Sequence, residues 1–261
     1  MKEIFTMWKH TKMIVLTALT GAIYAAVLMP FKIFAIIPGF TEVRPGVVVP
    51  IVFGILFGPA GAWGSAMGNF IGDFMGGMFS IASIFGAIGN FFFALTSYKL
   101  WGLFTKENEE LVLKENNKIK VFIFISILSS STCAMLIAWG LEILKILPFA
   151  AFASVVFINN LICPIILSPF LFWLLYPRVK KFDLFWTDIM SKEEVSPHWS
   201  PRIGGILMWL GGLGGLIIGI LVSTGVYNAE LLNFAVGAKG PMVVWSVSPF
   251  VISLIAGCIL I

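Results

Sequence analysis

Charge is the scarcest thing in this sequence. Only 11% of its 261 residues are Asp, Glu, Lys or Arg, where soluble domains carry about 25%, and this excludes a water-soluble enzyme. Histidine is almost as scarce, with His10 and His198 both in polar flanks, so a His-ligated metal or His-based catalysis has no material to work with. The three cysteines, Cys133, Cys163 and Cys258, sit in apolar stretches without C-x-x-C or metal spacing and are expected to pack rather than react. No phosphate loop, H-E-x-x-H, G-x-S-x-G or paired-carboxylate arrangement occurs. The chain is therefore expected to be no enzyme, to hold no cofactor or metal, and to carry no ATPase; energy from ATP would have to come through partners.

What the sequence has in abundance is apolar length. Hydrophobic residues make up 59% and mean hydropathy is +1.00. Apolar runs lie near 13–29, 45–57, 60–78, 80–103, 119–140, 151–176, 203–222 and 243–261. Eight helices of roughly 20 residues would use ~160 residues, leaving short loops and no second, soluble domain. The first run follows Lys2, Lys9 and Lys12, the outline of a signal peptide, but its length and its continuation through Pro30 and Pro38 fit a retained first helix. The stretch 45–103 could hold two long helices or three shorter ones broken at Gly58-Pro59 and Gly76-Gly77. Basic-residue bias decides for three. With the N-terminus inside, thirteen of the seventeen Lys and Arg residues then face the cytoplasm, and only Lys32, Arg44, Lys145 and Lys239 lie outside. The net charge of +4 follows from this loop bias and not from nucleic-acid binding.

The expectation is an all-α, multi-pass protein of the cell membrane with both termini cytoplasmic. A six-helix unit (1–181) precedes a polar cytoplasmic linker (182–202, with Pro197 and Pro201) and a final transmembrane pair (203–261). Gly204, Gly205, Gly211, Gly212, Gly214, Gly215 and Gly219 pack the first helix of that pair, whose expected role is scaffolding.

Two helices carry patterned small residues. Ala18, Ala22 and Ala26 recur every four residues on the first, a face for close approach by another helix of this chain or of a partner. On the third, Ala60, Gly64, Gly68, Gly72 and Gly76 form one such stripe, and Ser65, Asn69 and Asp73 form a polar one beside it. An acid within a hydrocarbon span is costly and marks a functional site by default; the alternative is that Asp73 caps the following turn or bonds Asn69 and Asn90. Glu42 and Arg44 close the first external loop, Asn90 lies near mid-membrane, Trp139 and Glu142 lie at the outer end of the fifth helix, and Asn159 and Asn160 lie one to two turns inside the sixth. These amides either bond one another or face a wet cavity opening outward. With aromatic walls from Phe31, Phe34, Trp139 and Phe152, such a cavity suits a neutral or zwitterionic heteroaromatic solute better than a bare ion.

The pattern resembles the substrate-binding S components of energy-coupling factor (ECF) transporters over about residues 12–181. The resemblance rests on the alanine-stepped segment Thr17-Ala18-Leu19-Thr20-Gly21-Ala22-Ile23-Tyr24-Ala25-Ala26, the short second helix ending Gly54-Ile55-Leu56-Phe57-Gly58-Pro59-Ala60-Gly61, and the G-x-x-G-D ending in Gly68-Asn69-Phe70-Ile71-Gly72-Asp73. The triplet Glu42-Val43-Arg44 looks like that of the queuosine-precursor branch. The resemblance implies a six-helix protein that captures a vitamin or similar micronutrient from outside, held under the first external loop. Its alanine face would dock onto a transmembrane coupling subunit driven by two cytosolic ATPases, and it would topple in the bilayer to release its load. The helix pair after Lys181 departs from the six-helix pattern. The competing expectations are a self-contained secondary transporter or channel, which would ordinarily show an inverted repeat or ion-coupling charges, and a membrane enzyme or assembly factor.

Overall fold

A computed structural model describes residues 1–105, 116–191, 193–195, 199–226 and 242–261. Pro197, His198 and Lys239, named above, and Lys106, Lys114 and Lys192, three of the thirteen basic residues expected inside, lie outside the described residues. Eight longer helices occur among the described residues: α1 (Thr11–Leu28), α2 (Val48–Phe57), α3 (Pro59–Met75), α4 (Ala82–Phe104), α5 (Asn116–Ile143), α6 (Phe149–Lys181), α7 (Pro201–Ser223) and α8 (Met242–Leu260). Five spans, Thr11–Ile33, Asn116–Ile143, Phe149–Ile189, Pro201–Ser223 and Met242–Leu260, are long and apolar enough to cross a membrane.

The stretch 45–103 does split into three helices. Gly58, with φ of +54°, turns the chain between α2 and α3, a backbone conformation that costs glycine nothing, and Pro59 starts α3 where its missing N–H is not needed. All ten residues of α2 are buried. At ~15 Å it is too short to span the bilayer core, and it serves as a plug inside the bundle. Among the described residues the one departure from an all-α fold is a two-stranded antiparallel hairpin, β1 (Ala35–Ile37) and β2 (Thr41–Glu42), in the first loop. Pro38-Gly39, with Gly39 at φ +81°, supplies the turn between β-branched residues.

The glycine stripe of α3 seats α1. A Cβ on Gly68 would lie 2.7 Å from the Gly21 carbonyl oxygen and 2.8 Å from Tyr24 Cβ, and one on Gly64 would press on Thr20 and lie 2.7 Å from the Thr17 carbonyl. α1 therefore meets α3 through Thr17, Thr20, Gly21 and Tyr24, all buried, while Ala18, Ala22 and Ala26 face outward and are exposed.

The final pair is part of the same body. α7 and α8 pack on each other and on α5 and α6; α7 passes through a π-helical turn, Leu210–Gly214, where Gly211 abuts Leu254 and Gly212 abuts Thr132. The expected linker is not a free tether over its described residues. Trp186 packs on Tyr98 with ring centroids 5.5 Å apart, Met190 is buried, and Glu194 pairs with His10 at 2.9 Å. Its apolar residues Phe185, Trp186 and Met190 find cover against the bundle, which a wholly polar linker would not seek.

At this end of the bundle, opposite the hairpin, Glu3 is buried beside Lys99, whose Nζ lies 2.8 Å from Glu3 Oε1, and the Tyr98 hydroxyl donates to the same oxygen at 3.1 Å. Burial pushes the Glu3 carboxyl up, but the charge and hydrogen bond of Lys99 outweigh it and hold the group down at about 2.

Two outcomes follow for the purified protein. Gly64→Ala should lower its thermal stability by about 1–3 kcal/mol through overpacking, whereas Gly102→Ala, whose Cβ would meet nothing within 4 Å, should raise it by roughly 0.5–1 kcal/mol; differential scanning fluorimetry in detergent reads both. Because the Glu3 carboxyl is depressed on folding, its contribution is complete above its ordinary value of 4.5 and is lost as pH falls from there towards 2. Glu3→Gln should lower the melting temperature at neutral pH and flatten its decline across that acid window.

Candidate functional site

At the hairpin end, four elements bring charges and amides into one buried cluster. Asn69 and Asp73 stand one helical turn apart on α3 and so share a face. Asn90 reaches them from α4, Glu42 and Arg44 from the hairpin's second strand and the residues after it, and Lys32 from the 3-10 turn Met29–Ile33 that follows α1.

Asn69 is the hub. Its side-chain oxygen accepts from Arg44 Nη2 at 2.7 Å and from Asn90 Nδ2 at 3.1 Å, while its own Nδ2 donates to Asp73 Oδ2 at 3.3 Å. Asn90 Nδ2 also donates to the Gly86 carbonyl at 2.8 Å, and its oxygen accepts from the Tyr24 hydroxyl at 2.7 Å. Donors thus run in one direction, Tyr24 to Asn90 to Asn69 to Asp73. A Cβ on Gly86 would lie 2.7 Å from Asn69 Nδ2, so glycine there makes room for the hub.

The ionic half closes the ring. Lys32 Nζ donates to Asp73 Oδ1 at 2.8 Å and lies 3.4 Å from Glu42 Oε1; Arg44 Nε lies 3.2 Å from the same Glu42 oxygen. That last contact is an ion pair without hydrogen-bond geometry, and both Glu42 Oε1 and Arg44 Nε lack a hydrogen bond. Two cations and two anions share the site, so it is neutral overall. A buried charge persists only when paired in this way.

A narrow cavity of about 30 Å³ opens beside the cluster, room enough for ordered water. Arg44, Asn69, Asp73, Ser80 and Ser83 supply its polar lining, with Phe40 and Phe152 among its apolar walls. Among the described residues no group of His, Cys, Asp and Glu is placed to hold a metal ion.

Of the residues singled out in the sequence, Glu42, Arg44, Asn69, Asp73 and Asn90 come together. Asn159 joins them indirectly: its Nδ2 donates to the Glu42 carbonyl at 2.8 Å and its Oδ1 accepts from the Arg44 N–H at 3.3 Å, which pins the backbone carrying both charges. Asn160 is buried one residue on, with its backbone carbonyl taking the Ser130 hydroxyl at 2.8 Å and its Oδ1 without a partner. Two residues are placed elsewhere. Trp139 Nε1 donates to Ser248 of α8 at 3.3 Å; Glu142 Oε2 accepts the Phe149 N–H at 2.6 Å and so caps the start of α6. Both sit at the hairpin end of α5, but the helix turns Trp139 toward the final pair, and the α5–α6 connection needs Glu142 for its cap.

Lys32 and Tyr24 are the members that sequence inspection missed. Lys32 served only as a topological marker, although a lone lysine in an apolar loop already called for an anion. Tyr24 is spaced seven residues from Thr17 and three from Gly21, the period of the face turned to α3.

A second feature lies on the outside of the bundle. Ala18, Ala22 and Ala26 of α1 and Met67, Ile71 and Met75 of α3 line an open groove of about 490 Å³ that is almost wholly apolar. Thr17, Gly21, Ala25 and Met29 complete it.

No curated protein and no solved structure matches the chain. The model of the QueT transporter family matches residues 14–177, a region that contains the whole polar cluster and the alanine groove and stops before α7 and α8. This chain belongs to the QueT transporter family, in keeping with its resemblance to micronutrient S components.

Proposed function

We propose that this protein is the substrate-capture subunit of an ECF-type importer and that it takes up a queuosine precursor or a related organic micronutrient. In this reading the hairpin faces the outside, and both termini and the connections 104–118 and 177–202 face the cytoplasm. The solute sits over Asn69 and Asp73, with Asn90 supporting Asn69, Glu42 and Arg44 in the covering loop and Asn159 and Asn160 behind it; Trp139 and Glu142 are given no part in this set. The groove along Ala18, Ala22 and Ala26 receives a transmembrane coubling helix of a partner subunit, itself driven by two cytosolic ATPases.

The observation that carries this reading is the one-sidedness of the molecule. Polar groups and cavity are gathered at the hairpin end, whereas the other half is filled by buried side chains such as Phe53, Leu56, Phe93, Leu100 and Trp101 and ends in the buried Glu3–Lys99 pair. A transporter with two alternating gates needs a path through that half. A subunit that moves as a body needs only one opening and a smooth face along which to be held. The exposed alanine groove is such a face: small residues let backbones approach and accumulate dispersion contacts. A self-contained secondary transporter is less well supported, because Asp73 is already matched by Lys32 and gives no free acid for ion coupling.

Ala22→Leu should leave solute binding by the isolated protein intact while uptake and co-purification of an ATP-hydrolysing partner both fall sharply. Loss of binding in that variant, together with uptake by the wild-type chain alone in proteoliposomes, would return the groove to internal packing and sink the proposal. Asp73→Asn keeps the volume and removes the charge, so titration calorimetry with a queuosine precursor should record a loss of more than about 1.5 kcal/mol, the lower end for charge-assisted hydrogen bonds.

A further inference from the structure

The cluster is balanced but its members are not equally fixed. Arg44 is held at three places: Nη2 on Asn69, Nε against Glu42, and its backbone N–H on Asn159. Glu42 is fixed through its carbonyl by the same Asn159. Lys32 has one hydrogen bond, to Asp73, and a longer contact with Glu42. It stands on a short 3-10 turn between half-buried Phe31 and exposed Ile33, with its stem resting in the notch that Gly76 leaves open, 3.1 Å from where a Cβ would be. Asp73 is the carboxylate that lines the cavity, and its side chain is 15% exposed against 1% for Glu42.

We propose that Lys32 is a specificity-determining residue of the site: its ammonium occupies the place against Asp73 that a cationic group of the captured solute takes, and the lysine is released to the outer surface on capture. This rests on the capture function proposed above and adds one requirement, that the solute carry a primary amine or comparable cation. Charge balance gives the reason. A cation added beside the existing four charges would leave a buried net charge, which is costly; a cation exchanged for Lys32 leaves the balance at zero. The cavity, at about 30 Å³, holds no organic solute until something moves, and of the two cations Lys32 is the one with the fewest ties and a flexible stem that can carry its charge into water.

The test uses the full chain in lipid nanodiscs and two deazaguanine probes differing in one group, an aminomethyl side chain, which is a cation at neutral pH, and a cyano side chain, which is neutral. The wild-type protein should bind the aminomethyl probe at least ten-fold more tightly. Saturation with that probe should increase acetylation of Lys32 by an amine-reactive reagent, read by mass spectrometry, because the expelled ammonium becomes accessible. Lys32→Met keeps a stem in the Gly76 notch and removes the competitor, so it should bind the aminomethyl probe several-fold more tightly than wild type and gain nothing for the cyano probe. Equal affinity of the wild type for the two probes, a fall in Lys32 acetylation on binding, or a folded Lys32→Met protein that has lost both probes would overturn the exchange while leaving the capture function standing. Binding of neither probe by the wild type would remove the deazaguanine assignment and the exchange together. The acetylation measurement decides the matter on unmutated protein should Lys32→Met fail to fold.

Discussion

The organisation of this protein hangs on the need to neutralise every charge that the membrane interior encloses. Asp73 on α3 is expensive by itself, and its cost is met by Lys32 from one end of the covering loop. Arg44 from the other end of the loop is met by Glu42 and by the oxygen of Asn69. The loop therefore lies over the bundle because its ends carry the counter-charges. The amides complete the arrangement: one Asn69 side chain accepts from Arg44 and from Asn90 and donates to Asp73, so α3, α4 and the loop share a single hydrogen-bonded hub, which Tyr24 of α1 joins through Asn90.

Close helix contact brings these groups within reach. The small-residue stripe of α3 draws α1 near enough for the Tyr24 hydroxyl to reach Asn90 on α4, and the same approach turns Ala18, Ala22 and Ala26 to the outside. The two faces of α1 thus have distinct roles, one binding the helix to the polar cluster and the other leaving an apolar groove. The C-terminal pair packs on α5 and α6, on other helices than the two that form the groove, so among the described residues the departure from a six-helix pattern leaves that face uncovered.

Much of this was legible before the fold was known, and what was not has a physical reason. Helix breaks at Gly58-Pro59 and Gly76-Gly77 follow from local backbone chemistry, and the polar stripe Ser65, Asn69 and Asp73 follows from the 3.6-residue period, though Ser65 turns its hydroxyl back to the Gly61 carbonyl at 2.6 Å and takes no part in the cluster. Periodicity places a residue on a face but does not say what that face meets. Trp139 and Glu142 were assigned to the right end of α5, yet one is turned to α8 and the other is spent on capping α6. Lys32 escaped notice because its partner is 41 residues away, and a pairing of that span depends on how the loop folds back, which no local pattern encodes. The hairpin was missed for a related reason: strands of two and three residues are too short to show alternation.

The neutrality of the buried cluster also bears on the electrical state of the membrane. An unbalanced elementary charge carried through the field of a polarised bilayer gains or loses about 2.3 kcal/mol per 100 mV. Lys32, Glu42, Arg44 and Asp73 sum to zero, so displacement of the cluster along the membrane normal does no electrical work. Membrane voltage has no purchase on these four charges in the unloaded protein, whereas a captured cation would add one charge on which the voltage acts.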